Sequence, residues 1–247
     1  MMGEGDTSDN LLDRNALLGR LSVALVRTAY PGNVGAAARV MTNFGVRRGT
    51  LVSPRCDINS VEARQYATGP SALTLATMNT VKSLADCSAG YSSVIALTRR
   101  TGQLRKPSVS LSEIPQKLQS GQVLLVFGPE EDGLSDAEIK QCTDVLTLDV
   151  SPMMPSLNLS HAVAVVLSHT YDRLKAVTSE PAPASVVDAT ELLSLFGSLE
   201  ANLKRLQSAG KLANAERLSR LLSQTLSRAQ LDEHELAAWH GFLSLLK

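Results

Sequence analysis

The chain is short of cysteine, of long apolar runs and of glycine-rich nucleotide turns, and each shortage removes a class of protein. Its three cysteines, Cys56, Cys87 and Cys142, are scattered and lack C-x-x-C spacing. That excludes a disulfide framework and a cysteine-built zinc site, and it suits buried thiols in a reducing compartment. No stretch approaches the ~20 uninterrupted apolar residues of a membrane-spanning helix, so no membrane partner is expected. The opening MMGEGDTSDN is acidic where a signal peptide would be basic and then apolar. The expected compartment is therefore the cytoplasm. G-x-G-x-x-G occurs nowhere, which argues against a Rossmann-type cofactor turn.

An excess of either charge is missing too, with 24 basic and 24 acidic side chains. The balance conceals opposed blocks. Net charge is −3 over residues 1–19, +9 over 20–117, −7 over 118–189 and +1 over 190–247. A surface drawn mainly from the second block could hold phosphates, because Lys and Arg dominate binding to nucleic acid. The alternative is that this block pairs with the acidic one across the fold.

What is present is ample apolar content, 44% of 247 residues, enough for one large domain with an appendage. Residues 1–19 are small and polar and read as a disordered or loosely docked arm. Strands are expected at Leu21 to Val26, Thr50 to Val52, Ser93 to Leu97, Val123 to Phe127 and Val145 to Leu148. Helices are expected near 34–44, 60–68, 71–75, 80–85, 111–118, 135–140 and 157–175. This alternation implies an α/β fold with a mostly parallel sheet covered on both faces, spanning 20–175. An Ala-, Pro- and Ser-rich stretch, 176–188, reads as a linker. Beyond it, 189–247 carries leucines at helical spacing and a capped helix start at Asp232 to Glu235, a small helical C-terminal extension.

Two segments carry the chemistry. Leu124 to Ser135, LLVFGPEEDGLS, reads as a buried strand ending in a glycine turn, and Pro155 to Val166, PSLNLSHAVAVV, as a polar turn opening an apolar helix. Both put backbone amides at the carboxyl end of a strand, where open α/β sheets place ligands. Gly128, without a Cβ, lets a ligand approach the backbone. Ser156 and Asn158 also suit simple capping of the following helix. Upstream, Pro31 to Arg39, PGNVGAAAR, is a run of small residues fit for tight packing against a neighbouring helix or a second subunit.

In this order the three segments resemble the signature motifs of the SPOUT class of RNA methyltransferases, most nearly the TrmJ branch of the TrmH-like tRNA ribose 2′-O-methyltransferases. The resemblance is good over about 20–175 and looser in the tail. One departure is Pro129, where TrmJ relatives often carry arginine. The resemblance implies a C-terminal trefoil knot and a homodimer that transfers a methyl group from S-adenosylmethionine to a ribose 2′-hydroxyl of tRNA, in the anticodon loop, without a metal. It implies cofactor contacts at Leu97, Thr98, Arg99, Gly128, Leu148, Pro155, Ser156 and Leu157. Asn33, Arg39, Glu130 and Asn158 would form the catalytic set, with Arg39 serving the other subunit's pocket. A guanidinium is a poor base at neutral pH, so charge stabilisation suits Arg39 better than proton abstraction. Arg100, Arg105 and Lys106, in the basic loop that also holds Arg99, would bind RNA phosphates, or else form an ordinary solvated loop. The same chemistry on ribosomal RNA, and a non-catalytic RNA-binding dimer, remain the alternatives.

Overall fold

The computed structural model describes residues 14–99, 106–176 and 187–246. Six strands form one sheet in the order β3-β2-β1-β5-β4-β6, and every pairing is parallel. They are β1 Leu21–Val26, β2 Arg48–Val52, β3 Asn79–Val81, β4 Ser93–Leu97, β5 Val123–Phe127 and β6 Asp144–Leu146. The helices are α1 Pro31–Asn43, α2 Val61–Tyr66, α3 Ser71–Ala76, α4 Ala85–Ser88, α5 Ile114–Ser120, α6 Asp136–Lys140 and α7 Leu159–Arg173, followed by α8 Ala189–Ser208, α9 Ala215–Ala229 and α10 Glu233–Leu245.

The central strands are apolar throughout because both faces are covered. Val23, Leu25 and Leu125 join one core with Ala37 and Met41 of α1 and Val163 and Val166 of α7. Their neighbours Ala24, Val26, Leu124 and Val126 join the opposite core with Leu134 and Ile139. Each fully buried leucine or valine contributes roughly 1.5–3 kcal/mol, so the middle of the sheet is a rigid platform for the loops at its carboxyl edge.

Three expectations need correction. Residues 14–18, expected within the arm, form a helical turn that buries Leu17 and Leu18, and the rest of the expected arm lies outside the described residues. Arg14 there lies 4.4 Å over the Tyr171 ring. The helix expected at 80–85 is instead β3, whose three residues pair with Thr50 to Val52, followed by α4. Three residues are too few to show a period, and the pairing along β2 decides their conformation. The last expected strand ends at Leu146, which frees Leu148 for a loop.

The expected linker lies mostly outside the described residues, and its end is anchored. Val187 is buried, its N–H donates to Leu231 O at 3.1 Å, and Asp188 caps α8. Helices α8 to α10 enclose their own core around Leu195, Phe196, Leu226 and Leu243. Asp232 caps α10 as its sequence suggested, accepting from Glu235 N at 2.8 Å.

A polar contact ties this bundle to the sheet. Asp144, fully buried on β6, accepts from Ser93 Oγ at 2.9 Å, Thr143 Oγ1 at 2.8 Å and Lys117 Nζ at 3.2 Å. Its other oxygen accepts from Ser227 Oγ of α9.

Candidate functional site

The carboxyl ends of β5, β4 and β6 stand side by side, and their loops enclose a cavity of about 390 Å³. Leu97, Thr98 and Arg99 line it after β4, Gly128 to Leu134 after β5, and Leu148, Val150, Pro155, Ser156 and Leu157 after β6. The structure thus brings all eight residues named as cofactor contacts, and Glu130, to one cavity. Its volume lies in the usual range for small-molecule sites, and the leucines together with Phe127 give it an apolar wall beside backbone polar groups. These features fit S-adenosylmethionine, whose adenosine needs an apolar slot with a few hydrogen-bonding groups.

Gly128 owes its lack of a side chain to the protein itself. A Cβ there would lie 2.3 Å from Leu134 N and 2.5 Å from Gly133 C, because the loop folds back over the strand end. Gly133 makes that return turn at φ +68°. The loop itself therefore requires glycine at 128, beside the ligand approach that its missing Cβ was expected to allow.

Sequence reasoning missed the residue that fastens this loop. Arg27, just past β1, has φ 51°, a left-handed conformation uncommon outside glycine. Its Nε and Nη2 donate to the two carboxylate oxygens of Glu138 at 2.8 and 2.9 Å. Nη2 also donates to Gly133 O at 3.1 Å, and Nη1 lies 3.6 Å from Asp132. Burial alone would push the Glu138 carboxyl up, but the bonds from Arg27 and Ser135 together hold it below the ordinary carboxylate range. The Glu138 bond in turn raises the Arg27 pKa. The only local signal was the capping box from Ser135 to Glu138.

Asn33, Glu130 and Asn158 form a relay across three segments. Asn33 Nδ2 donates to Glu130 Oε1 at 2.6 Å, and Asn158 Nδ2 donates to Asn33 Oδ1 at 2.9 Å. Glu130 Oε2 accepts from Ala29 N at 3.4 Å. Asn158 is also the N-cap of α7, its Oδ1 accepting from Ser160 N at 2.9 Å and Ser160 Oγ at 2.8 Å. One side chain thus caps α7 and holds the Asn33 amide. Arg39 is not brought to this group: it is exposed on α1 and absent from the cavity lining.

The small residues of α1 serve a neighbouring helix, since a Cβ on Gly35 would lie 2.1 Å from Ala63 O of α2. Arg100 and Arg105 lie outside the described residues. Lys106 Nζ donates to Lys140 O at 2.9 Å, and burial holds its pKa below the usual lysine value. Burial also pushes the Cys142 and Cys87 thiols up to about 12 and about 11, so both stay protonated and unreactive. Among the described residues, no group of three or more His, Cys, Asp or Glu side chains is arranged to hold a metal, and no helix is long and apolar enough to cross a membrane.

Residues 20–168 match the model of the SpoU rRNA Methylase family. The tRNA (cytidine-2′-O-)-methyltransferase TrmJ of Methanocaldococcus jannaschii is 34% identical over 158 residues, 62% of this chain and 68% of the relative. The crystal structure of TrmJ from Z. mobilis ZM4 is similar at a TM-score of 0.66 and 28% identity, over 91% of this chain and 98% of that one. An AdoMet-bound rRNA methyltransferase from Sinorhizobium meliloti is similar at a TM-score of 0.51 and 25% identity, over 62% of this chain and 56% of that one.

Proposed function

The chain belongs to the SpoU rRNA Methylase family, and from that premise we infer that it is a tRNA (ribose-2′-O-)-methyltransferase of the TrmJ branch using S-adenosylmethionine. The observation that carries this reading is the relay from Asn158 through Asn33 to Glu130, beside a cavity built by three strand-end loops. The cofactor supplies an electrophilic methyl group when bound. The loops after β4, β5 and β6 would hold it through backbone groups and the leucines.

The chain's remaining work is alignment. Glu130 reaches the cavity with both oxygens held, one by Asn33 and one by Ala29 N, so its carboxylate is fixed beside the incoming ribose. Holding hydroxyl and methyl in line can account for about 7–11 kcal/mol of barrier lowering. Arg39 would stabilise charge at the ribose or its phosphate rather than take the proton.

Arg39 standing apart from its own cavity supports a homodimer in which it completes the partner's site. Exposed apolar side chains on α7 and the loop before it, Val165, Met153 and Met154, support the same reading. The trefoil knot belongs to it as well: the chain beyond edge strand β6 turns back to line a cavity shared with the β4 and β5 loops. Residues 20–175 would be the catalytic domain and 189–247 the extension, in a cytoplasmic enzyme. TrmJ relatives favour tRNA over ribosomal RNA, and the presence of Asn33, Arg39, Glu130 and Asn158 together favours catalysis over passive RNA binding. Incubation with methyl-labelled S-adenosylmethionine and either tRNA or ribosomal RNA tests the substrate. Label in tRNA is expected, and label confined to ribosomal RNA would refute the choice.

A further inference from the structure

Tyr30 and Tyr66 are two of only four tyrosines, and both are half exposed, at 50% and 53%. Tyr30 occupies the N-cap position of α1, and Asn33 N donates to its carbonyl at 3.1 Å. Tyr66 ends α2, which is pressed against α1: a Cβ on Gly32 would lie 3.1 Å from its Cε2. Tyr30 therefore precedes, and the Tyr66 ring packs against, the first turn of α1, the turn that carries Asn33. Among the described residues neither hydroxyl has a hydrogen-bond partner, which leaves the polar end of each half-exposed ring unpartnered.

Arg55, in the loop after β2, meets the segment that leads to Tyr30. Its N–H donates to Thr28 O at 2.9 Å, one residue before Ala29, whose N–H meets Glu130. The next residue, Cys56, has its Sγ 4.0 Å from Thr28 Oγ1, and burial raises the thiol above its ordinary pKa against the lowering effect of that contact. The Arg55 side chain is exposed and has no ion pair among the described residues, and Arg64 is exposed two residues before Tyr66. The loops and helix ends that carry these residues therefore meet the segment holding Asn33, and none of the four lines the cofactor cavity.

Aromatic faces next to unpaired cations are the chemistry of single-stranded RNA, whose unstacked bases lie on side-chain rings while cations hold the backbone. We propose that Tyr30 and Tyr66 form a stacking platform for bases next to the target nucleotide of a tRNA loop, with Arg55 on a neighbouring phosphate. The proposal rests on the methyltransferase reading above. It gives the enzyme a way to present the ribose: stacking draws the loop open, and the phosphate contact sets its register.

The test is tRNA binding to the full chain, by fluorescence polarisation across a salt series, with S-adenosylmethionine calorimetry and sedimentation in parallel. Tyr30→Ala and Tyr66→Ala should each weaken tRNA binding by about 5- to 150-fold, the range for one stacked base. Tyr30→Phe and Tyr66→Phe should bind as wild type, and cofactor affinity and oligomeric state should not move. Arg55→Ala should reduce the salt slope by about 0.7, the value for one single-strand phosphate contact, whereas the tyrosine variants leave it unchanged. Alanine variants that bind tRNA as tightly as wild type would overturn the platform. So would weaker binding accompanied by a changed sedimentation coefficient, which would make this face a contact between copies of the chain. A wild-type protein that bound no tRNA would instead overturn the functional reading, and the platform with it.

Discussion

Asn158 Nδ2 donates to Asn33 Oδ1 over 2.9 Å, although 125 residues separate the two in sequence. The bond fixes the Asn33 amide so that its Nδ2 faces Glu130, and it ties the start of α1 to the start of α7. Asn158 has a second task as the cap of α7.

The two tasks separate by substitution. Asn158→Asp keeps the capping oxygen but loses the donor, so turnover should fall about 10- to 100-fold, the scale of a hydrogen bond in a charged relay, while thermal stability stays near wild type. Asn158→Ala should lose turnover and also about 1 kcal/mol of stability with the cap. Steady-state kinetics and thermal melts on both variants decide it. Equal turnover in Asn158→Asp and wild type would remove the relay from the mechanism.

Gly128→Ala is expected to damage the cofactor site through the loop. The new Cβ would meet main-chain atoms 2.3 and 2.5 Å away, which cannot swing aside as a side chain can. S-adenosylmethionine affinity should drop at least about tenfold, and with it the melting temperature, since overpacking of this kind typically costs about 1–3 kcal/mol. Calorimetry and melting are measured together. A variant that lost affinity at unchanged stability would restore the simpler view, in which only the ligand needs the space.

The Arg27–Glu138 pair predicts an acid limb. Glu138 has a lowered carboxyl pKa in the fold, so its stabilising contribution is fully present above the ordinary carboxylate range and is lost as pH falls through that range toward its lowered value. Glu138→Gln cannot ionise, so stability against urea should be lower at neutral pH and decline less between about pH 5 and 3. Parallel pH profiles for mutant and wild type would place the loop's anchor elsewhere.

The limits of β1, β4 and β5 were readable residue by residue because continuous apolar runs between turns admit little else in a doubly covered sheet. β3 was not, since Asn79 to Val81 becomes a strand only by pairing with β2. In the site, the glycine turn after β5 and the polar turn before α7 announced themselves by their place at strand ends. Arg27 did not: its meaning depends on Glu138, 111 residues away, and on a carbonyl with no sequence signature. Arg39 was named from motif spacing, yet within one chain it stays outside the cavity.

The extension is more firmly joined than its separate apolar core suggests. Ser227→Ala removes a donor from the fully buried Asp144 carboxylate and should cost about 1.5–3 kcal/mol, the range for a bond to a charged group. Urea unfolding would show this as an earlier midpoint at unchanged slope. A cost within about 0.5 kcal/mol, the scale of an ordinary surface substitution, would mean that the helices rest on the sheet without depending on that contact.

The chemical position of the transferred methyl group is the most direct measurement. tRNA methylated with labelled S-adenosylmethionine is hydrolysed in alkali, which needs a free 2′-hydroxyl to break each phosphodiester. Ribose methylation leaves the label in an alkali-resistant dinucleotide, and Asn33→Ala should reduce that product strongly without abolishing cofactor binding. Label recovered only in mononucleotides would mean that a base is methylated, and would contradict a site built around a ribose hydroxyl.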